Sequence, residues 1–198
     1  IFIYDTSSMK ELTIFLMSII GIFVYINFIR KSLYLDAIVS SVDSKEYYVR
    51  NLPDKDEAAN KLAKLSKNLS TLVNSIQDKE RKESIERLRD NFNAEKISEN
   101  IPGSMYVAYS VNKGEELSIC IREKETEKFI DDNTITFVAI HELSHIMSVS
   151  TGHTKEFWEN MKYLLQEAEK LGLYQSVDYS STPVTYCGME INSTPLNL

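Results

Sequence analysis

Residues 141–158 read HELSHIMSVSTGHTKEFW, and this stretch decides what kind of domain the chain can form. His141, Glu142 and His145 make an H-E-x-x-H motif within an apolar run that begins at Ile135. The spacing of four places both imidazoles on one face of a helix, close enough to share a metal ion. Glu142 lies beside the first histidine, from where its carboxylate can take a proton from an attacking water. The motif therefore predicts a metal site with its own general base.

A third ligand is needed, because a catalytic zinc takes three protein ligands and keeps its fourth position open. His153 follows His145 by eight residues and stands directly after Gly152, where a glycine lets the chain leave the helix and turn back. The chain has three histidines, and all of them lie in this window. Three glutamates are alternative third ligands, because zinc peptidases also take a Glu from the following helix: Glu156, Glu159 and Glu167. We predict that Zn²⁺ is bound by the three histidines, His141, His145 and His153, with Glu142 as the catalytic residue.

The rest of the chain predicts an α+β fold, a helix-rich zincin-like domain with one small, mainly antiparallel sheet. Apolar residues spaced by three and four predict a long helix that begins near Asp54: Ala58, Leu62, Leu65, Leu69, Leu72 and Ile76. A shorter charged helix follows, with one apolar face formed by Ile85, Leu88 and Phe92.

The strands and the second pair of helices follow from local signals. Residues 105–111 and 117–121 are both strand-like and predict a hairpin. The helix that carries the motif has three candidate capping residues, Asp131, Asp132 and Asn133, and should run to about Ser150. Thr154 can cap the next helix.

Residues 12–29 read LTIFLMSIIGIFVYINFI, eighteen residues without a charge. As an α-helix they span roughly 27 Å, just enough for the hydrocarbon core of a bilayer. A buried core helix and a cleaved signal peptide are the alternatives, but the apolar surface is nearly continuous and no small-residue cleavage site follows closely. We predict a single transmembrane helix that contacts the lipid bilayer through residues 12–29. Arg30 and Lys31 favour the cytoplasmic side for the catalytic domain.

The chain is thus predicted to consist of three parts. Residues 1–31 form an N-terminal tail and transmembrane helix, residues 32–52 a connector, and residues 53–198 a zinc metallopeptidase-like domain.

Charge and cysteine content restrict the partners. The net charge is −7 and the basic residues are dispersed among acids, so nucleic acid is an unlikely partner and a protein or peptide substrate is expected. Two cysteines, Cys120 and Cys187, do not indicate a disulfide framework and favour a reducing compartment. A single bond between them stays open.

The run from His141 to Trp158 resembles the WLM and SprT-like group of zinc metallopeptidases, in which a Phe-Trp pair follows a third histidine closely. Residues 172–174, 178–179 and 186–189 resemble versions found in large eukaryotic DNA viruses. The resemblance covers roughly residues 50–198. It implies the same three ligands and Glu142 as general base. It also implies a sheet whose edge strand presents substrate to the motif helix, here 117–121.

We therefore expect a membrane-anchored zinc metalloendopeptidase that hydrolyses peptide bonds through a metal-activated water. Three tyrosines are candidates to donate a hydrogen bond to the tetrahedral oxyanion: Tyr174, Tyr179 and Tyr186. The alternative is a catalytically silent protein of the same fold that tethers a membrane to a protein shell, for example as a minor capsid or virion component. The intact H-E-x-x-H favours the enzyme, because a silent protein has no chemical need for Glu142.

Overall fold

The computed structural model describes residues 6–104, 106–111 and 114–197, and for residues 6–9, 26–32 and 111 it describes the backbone alone. The N-terminal five residues of the predicted tail, and Met105 of the predicted strand, lie outside this part of the chain. Five α-helices run through the described residues: α1 Thr6–Tyr34, α2 Lys55–Ser75, α3 Lys82–Asn91, α4 Asp132–Met147 and α5 Lys155–Lys170.

Seven strands accompany the helices in two sheets. Their bounds are β1 Leu35–Val39, β2 Glu46–Arg50, β3 Ile97–Glu99, β4 Ala108–Val111, β5 Glu116–Ile119, β6 Val184–Tyr186 and β7 Met189–Ile191. The first five form one sheet in the order β1-β2-β3-β5-β4, and the last two form a separate hairpin. A 3₁₀ turn, Pro195–Asn197, ends the described chain.

The α+β class is confirmed, but the prediction of one mainly antiparallel sheet is wrong. β1 pairs with β2 and β4 with β5 in antiparallel fashion, whereas β3 pairs in parallel with both β2 and β5. The β2–β3 pair is parallel because helices α2 and α3 cross over between these strands, a long connection that returns the chain in the same direction. β3 and β5 are parallel because the chain passes between them through β4, which runs antiparallel to β5. Residues 32–52, predicted as a connector, contain β1 and β2; the division at residues 31 and 52 stays a prediction.

The transmembrane prediction is wrong. Within the described residues, no helix is both long enough and apolar enough to cross a bilayer. The prediction of a single-pass membrane protein with its catalytic domain on the cytoplasmic side is corrected accordingly. Lipid and protein-shell partners, and a virion location, find no support in the described part of the chain.

The central helix α4 explains how the core positions the site. From Thr134 to Met147 every side chain is buried except His141 and His145, which are half-buried. The helix packs on α5 and α3 and against the β4–β5 edge of the sheet. It begins as predicted, since the Asp131 side chain accepts a hydrogen bond from the Thr134 backbone N–H at 2.9 Å. Between Thr134 and Met147, His141 and His145 are therefore the side chains that solvent can reach.

A buried ion-pair network ties the sheet to α2. Arg122 is 2 % exposed and donates to the carboxylate of Glu99, itself 1 % exposed, at 2.8 Å. The same guanidinium donates through two nitrogens to Asp54, at 2.7 and 2.8 Å. Asp54 precedes α2 as predicted, but its side chain binds Arg122 and makes no capping hydrogen bond. Burial raises the pKa of Glu99, and its bonds to Arg50 and Arg122 oppose that rise.

A disulfide joins Cys120, just after β5, to Cys187 in the turn of the β6–β7 hairpin. Their Cα atoms are 6.3 Å apart across 67 residues of sequence. The possibility left open by the sequence is therefore the arrangement found, and neither cysteine is free. The sequence could not predict this disulfide, because the two cysteines come together only when the C-terminal segment packs on the sheet.

Candidate metal centre

The side chains of the three histidines lie close together at the protein surface. His141 and His145 lie on α4, and His153 lies on the loop of residues 148–154 that joins α4 to α5. One ligand nitrogen from each can be chosen so that all lie within 4.8 Å of one another. The Nε2 atoms of His141 and His153 are 3.0 Å apart. The predicted third histidine is thus brought to the first two by the loop.

The loop turns back because α4 ends earlier than the sequence predicts. The helix stops at Met147, not near Ser150, and Ser148 adopts an extended conformation with φ −89° and ψ 142°. Gly152 then has a φ of +80°, which a residue without a Cβ adopts at little cost. Thr154 accepts a hydrogen bond from the Phe157 N–H and begins α5, as predicted.

Glu156, an alternative ligand by sequence, holds the loop instead. Its carboxylate accepts hydrogen bonds from the backbone N–H of Val149 at 2.9 Å and of Ser150 at 3.2 Å. The Ser150 hydroxyl also donates to it, at 2.7 Å. These bonds lower the pKa of Glu156. The other two alternatives form ion pairs on the outside of α5, Glu159 with Lys155 and Glu167 with Lys170.

Phe157 supports all three imidazoles. Its ring centroid lies 4.8 Å from that of His141, 4.3 Å from His145 and 4.7 Å from His153. The side chain is fully buried, and Trp158 packs beside His153 at 5.6 Å. The sequence analysis placed Phe157 only in the Phe-Trp pair of the family pattern. Its position beneath the triad is a role that helical periodicity alone could not indicate.

The donor set fits a metal ion. Burial, together with the positive charges that His145 and His153 would carry, lowers the pKa of His141 to about 3. A neutral imidazole offers a lone pair to a metal, so this environment favours the form that binds. His153 is exposed and leaves one side of the cluster open. The fold and the histidine triad together imply a bound metal.

Glu142 lies next to the histidine triad but is more deeply buried than the three histidines. Its side chain is 8 % exposed, and burial raises the pKa of this carboxyl to about 7, although the Ser110 backbone N–H donates a hydrogen bond that opposes the rise. Ser110 is on β4, the edge strand of the main sheet. This backbone partner was not foreseen, because only tertiary packing brings β4 to α4.

A cleft of about 620 Å³ opens over these groups. One wall is β4 with the residues before it, and the other is the β6–β7 hairpin with the residues after it. Aromatic and apolar side chains dominate the lining, including Tyr106, Phe137, Trp158 and Met189. A larger depression of about 870 Å³ lies over β1, β2 and β3 and contains none of the site residues. We assign the site to the smaller cleft because it contains the histidines and Glu142.

The substrate-presenting strand was assigned to the wrong segment. The resemblance implied 117–121 as the edge strand, but β5 lies between β3 and β4, and β4 is the edge. The reason is that β3, which the sequence analysis did not identify, pairs with the far side of β5.

The predicted tyrosines are placed in two groups. Tyr186 lines the cleft, but its hydroxyl donates to the carbonyl of Cys120 at 2.8 Å and the residue is 2 % exposed. Tyr174 and Tyr179 are buried and pack against Phe137, with ring centroids 6.1 and 4.8 Å away. The oxyanion role of these tyrosines stays a prediction.

Two histidines on a helix, a third on the following loop and a buried glutamate beside a sheet edge define a metallopeptidase-like fold. The WLM domain family model matches residues 42–190, and the chain belongs to this family. An uncharacterised protein of Acanthamoeba polyphaga mimivirus is 32% identical over 160 residues, covering 78% of this chain and 81% of the viral one. An uncharacterised protein of Invertebrate iridescent virus 6 is 35% identical over 69 residues, covering 34% of this chain and 38% of that protein.

Solved structures of Wss1 are also similar. The crystal structure of Wss1 from Saccharomyces cerevisiae is 21% identical, with a TM-score of 0.49, and the match covers 63% of this chain and 90% of that one. Wss1 from S. pombe is 26% identical, with a TM-score of 0.46 over 61% of this chain and 88% of that one.

Proposed function

We propose that this chain is a zinc-dependent metalloendopeptidase, with zinc held by His141, His145 and His153 and with Glu142 as general base. One observation carries the proposal: the ligand nitrogens of the triad lie within 4.8 Å of one another, next to a buried carboxyl. Three imidazoles are a known ligand set for catalytic zinc. Membership of the WLM family agrees with this chemistry.

The substrate would bind along β4. The Cys120 N–H donates to the Val107 carbonyl at 3.0 Å, which makes this a hydrogen-bonded pair of the antiparallel ladder. By the alternation of such ladders, the backbone groups of Ala108 and Ser110 point away from β5 and toward the cleft. An extended peptide can add to this edge by main-chain hydrogen bonds. Because Ser110 already donates to Glu142, Ala108 is the position we expect to bind substrate backbone.

The chemical step uses Glu142 as a proton carrier. Zinc, when bound by the triad, supplies Lewis acidity that polarises the scissile carbonyl and makes water acidic. The carboxylate of Glu142 accepts the proton of the attacking water and passes it to the leaving amine. Its pKa of about 7 suits both steps, since the group exchanges a proton readily near neutral pH. The Ser110 N–H holds this carboxylate at the edge where the peptide would lie.

The test is to compare the wild type with Glu142→Gln on an unstructured protein substrate, with zinc content measured on both. We expect one zinc per chain in each and a loss of turnover of about 10²-fold or more in the variant. Glu159→Gln, an exposed change on α5, is the matched control and should cleave normally. Equal cleavage by Glu142→Gln would refute the assigned role. Bound zinc with no cleavage of any substrate by the wild type would favour the silent alternative.

A further inference from the structure

The β6–β7 hairpin forms one wall of the cleft but contributes no metal ligand. Tyr186, Met189, Glu190 and Ile191 all line the cleft, whereas the triad comes from α4 and the loop after it. A change in the hairpin can therefore alter what the cleft binds without changing the residues that hold the metal.

The strand pairing within this hairpin is short and contributes little stability by itself. Each strand has three residues, and the pair is separate from the main sheet. Two-stranded hairpins of this size are marginal in water. Tyr186 packs in the core, and Val184 and Ile191 pack against it. Two specific bonds further attach the hairpin to the β5 end of the sheet, the disulfide between Cys187 and Cys120 and the hydrogen bond from Tyr186 to the Cys120 carbonyl. Both attachments converge on one residue, Cys120.

The two cysteines differ in their exposure to solvent. Cys120 is 7 % exposed, whereas Cys187 is half-buried and lies in a turn where its own φ is +51° and Gly188 follows at +83°. A thiolate from solvent can approach the sulfur of Cys187 more readily than that of Cys120.

We propose that the Cys120–Cys187 disulfide positions the hairpin wall of the cleft, and that reduction by a dithiol releases the wall and weakens peptide binding while the metal stays bound. The cysteines are positioning residues in this scheme. The expected effect on peptide binding rests on the proposed peptidase function. The attacking thiolate bonds to the sulfur of Cys187, and Cys120 leaves as a thiolate that takes up a proton. The second thiol of the reductant then displaces Cys187, so that two electrons and two protons reach the protein and the reductant becomes a disulfide.

The tether itself is tested by amide hydrogen exchange on the full chain, with and without dithiothreitol. We expect exchange in residues 184–191 to rise by about 10-fold or more on reduction, because the disulfide no longer restricts local opening of the hairpin. Exchange in α4 and zinc content should not change. The double variant Cys120→Ser with Cys187→Ser should show fast hairpin exchange that is insensitive to reductant. If it fails to fold, reduction of the wild type still decides the matter.

Three results would overturn the tether: free thiols at both positions in the protein purified without reductant, unchanged exchange in 184–191, or an equal rise in α4. The last would mean that the bond stabilises the whole domain and does not position the wall.

The consequence is tested with a fluorescent peptide hydroxamate bearing a bulky apolar side chain. Its affinity should fall by about 5-fold or more on reduction of the wild type, and KM for a cleaved peptide should rise more than kcat falls. Unchanged affinity with a mobile hairpin would overturn the effect on binding. If the probe binds neither form, the proposed peptidase site fails, while the exchange experiment still decides the tether.

Discussion

The ring of Phe157 lies under that of His145 with their centroids 4.3 Å apart and their planes inclined by 32°. A ring on α5 thus supports a histidine on α4. Because the same ring touches His141 and His153, one apolar residue sets the relative orientation of three ligands. The hydrophobic shell around a metal site controls solvent access and the local dielectric, so we expect this ring to affect metal affinity.

Phe157→Ala should therefore weaken both the metal site and the fold. Loss of a fully buried phenylalanine costs about 3–5 kcal/mol of stability, and the imidazoles lose their common support. Calorimetric unfolding and zinc titration measure the two effects. Phe157→Leu keeps much of the packing volume and serves as control, with a smaller loss of both. Normal zinc affinity in a folded alanine variant would contradict the supporting role.

His153→Ala should remove metal binding while leaving the fold intact. The residue is exposed, so the substitution loses little packing, whereas the metal loses one of three ligands. Zinc content by mass spectrometry and the thermal midpoint of the apo protein give the two readings. Thr151→Ala, exposed on the same loop, is the control and should bind one zinc per chain. Full zinc content in His153→Ala would show that another residue completes the site.

Glu156→Gln should lower metal affinity without altering a ligand. The carboxylate accepts bonds from Val149 and Ser150 and so holds the loop that carries His153. Weakening such outer support typically costs about 10–100-fold in affinity. A competition titration with a zinc chelator measures this, with Glu159→Gln on the exposed face of α5 as the matched control. Identical affinities for the two variants would mean that the loop keeps its shape without these bonds.

Arg122→Met should destabilise the domain strongly. Glu99 is 1 % exposed and would lose the buried guanidinium that pairs with it, a loss that costs about 3–5 kcal/mol. Chemical denaturation measures the free energy of unfolding. Lys45→Met breaks the pair with Glu95, whose side chains are 50% and 72% exposed, and we expect little change in the free energy of unfolding. A small effect at Arg122 would mean that Glu99 is protonated or reached by water.

Local signals were sufficient wherever a residue's role depends on its neighbours in sequence. The Asp131 and Thr154 caps, the apolar stripe of α2 and the α+β class were all read correctly, because caps and periodicity act over three or four residues. The short strand β3 was missed for the opposite reason. Its three residues carry no periodic signal, and only pairing with β2 and β5 makes them a strand.

The membrane prediction shows the limit of composition. The uncharged run of residues 12–29 has about the length that a transmembrane helix needs. Within the described residues, however, no helix is both long enough and apolar enough to cross a bilayer. Similarly, the spacing of His145 and His153 made the latter a good candidate, but the early end of α4 and the bonds of Glu156 are what bring its ring to the others.

The sequence by itself determined the chemistry available to this protein: three histidines and a glutamate at spacings that one helix and its following loop can bring together. The tertiary structure alone decided the surroundings. It placed β4 and not β5 at the edge, set Ser110 against Glu142, put Phe157 under the triad and joined Cys120 to Cys187. The physical reason is that helical spacing is a property of consecutive residues, whereas strand order, burial and a 67-residue disulfide depend on contacts that form only when distant segments pack.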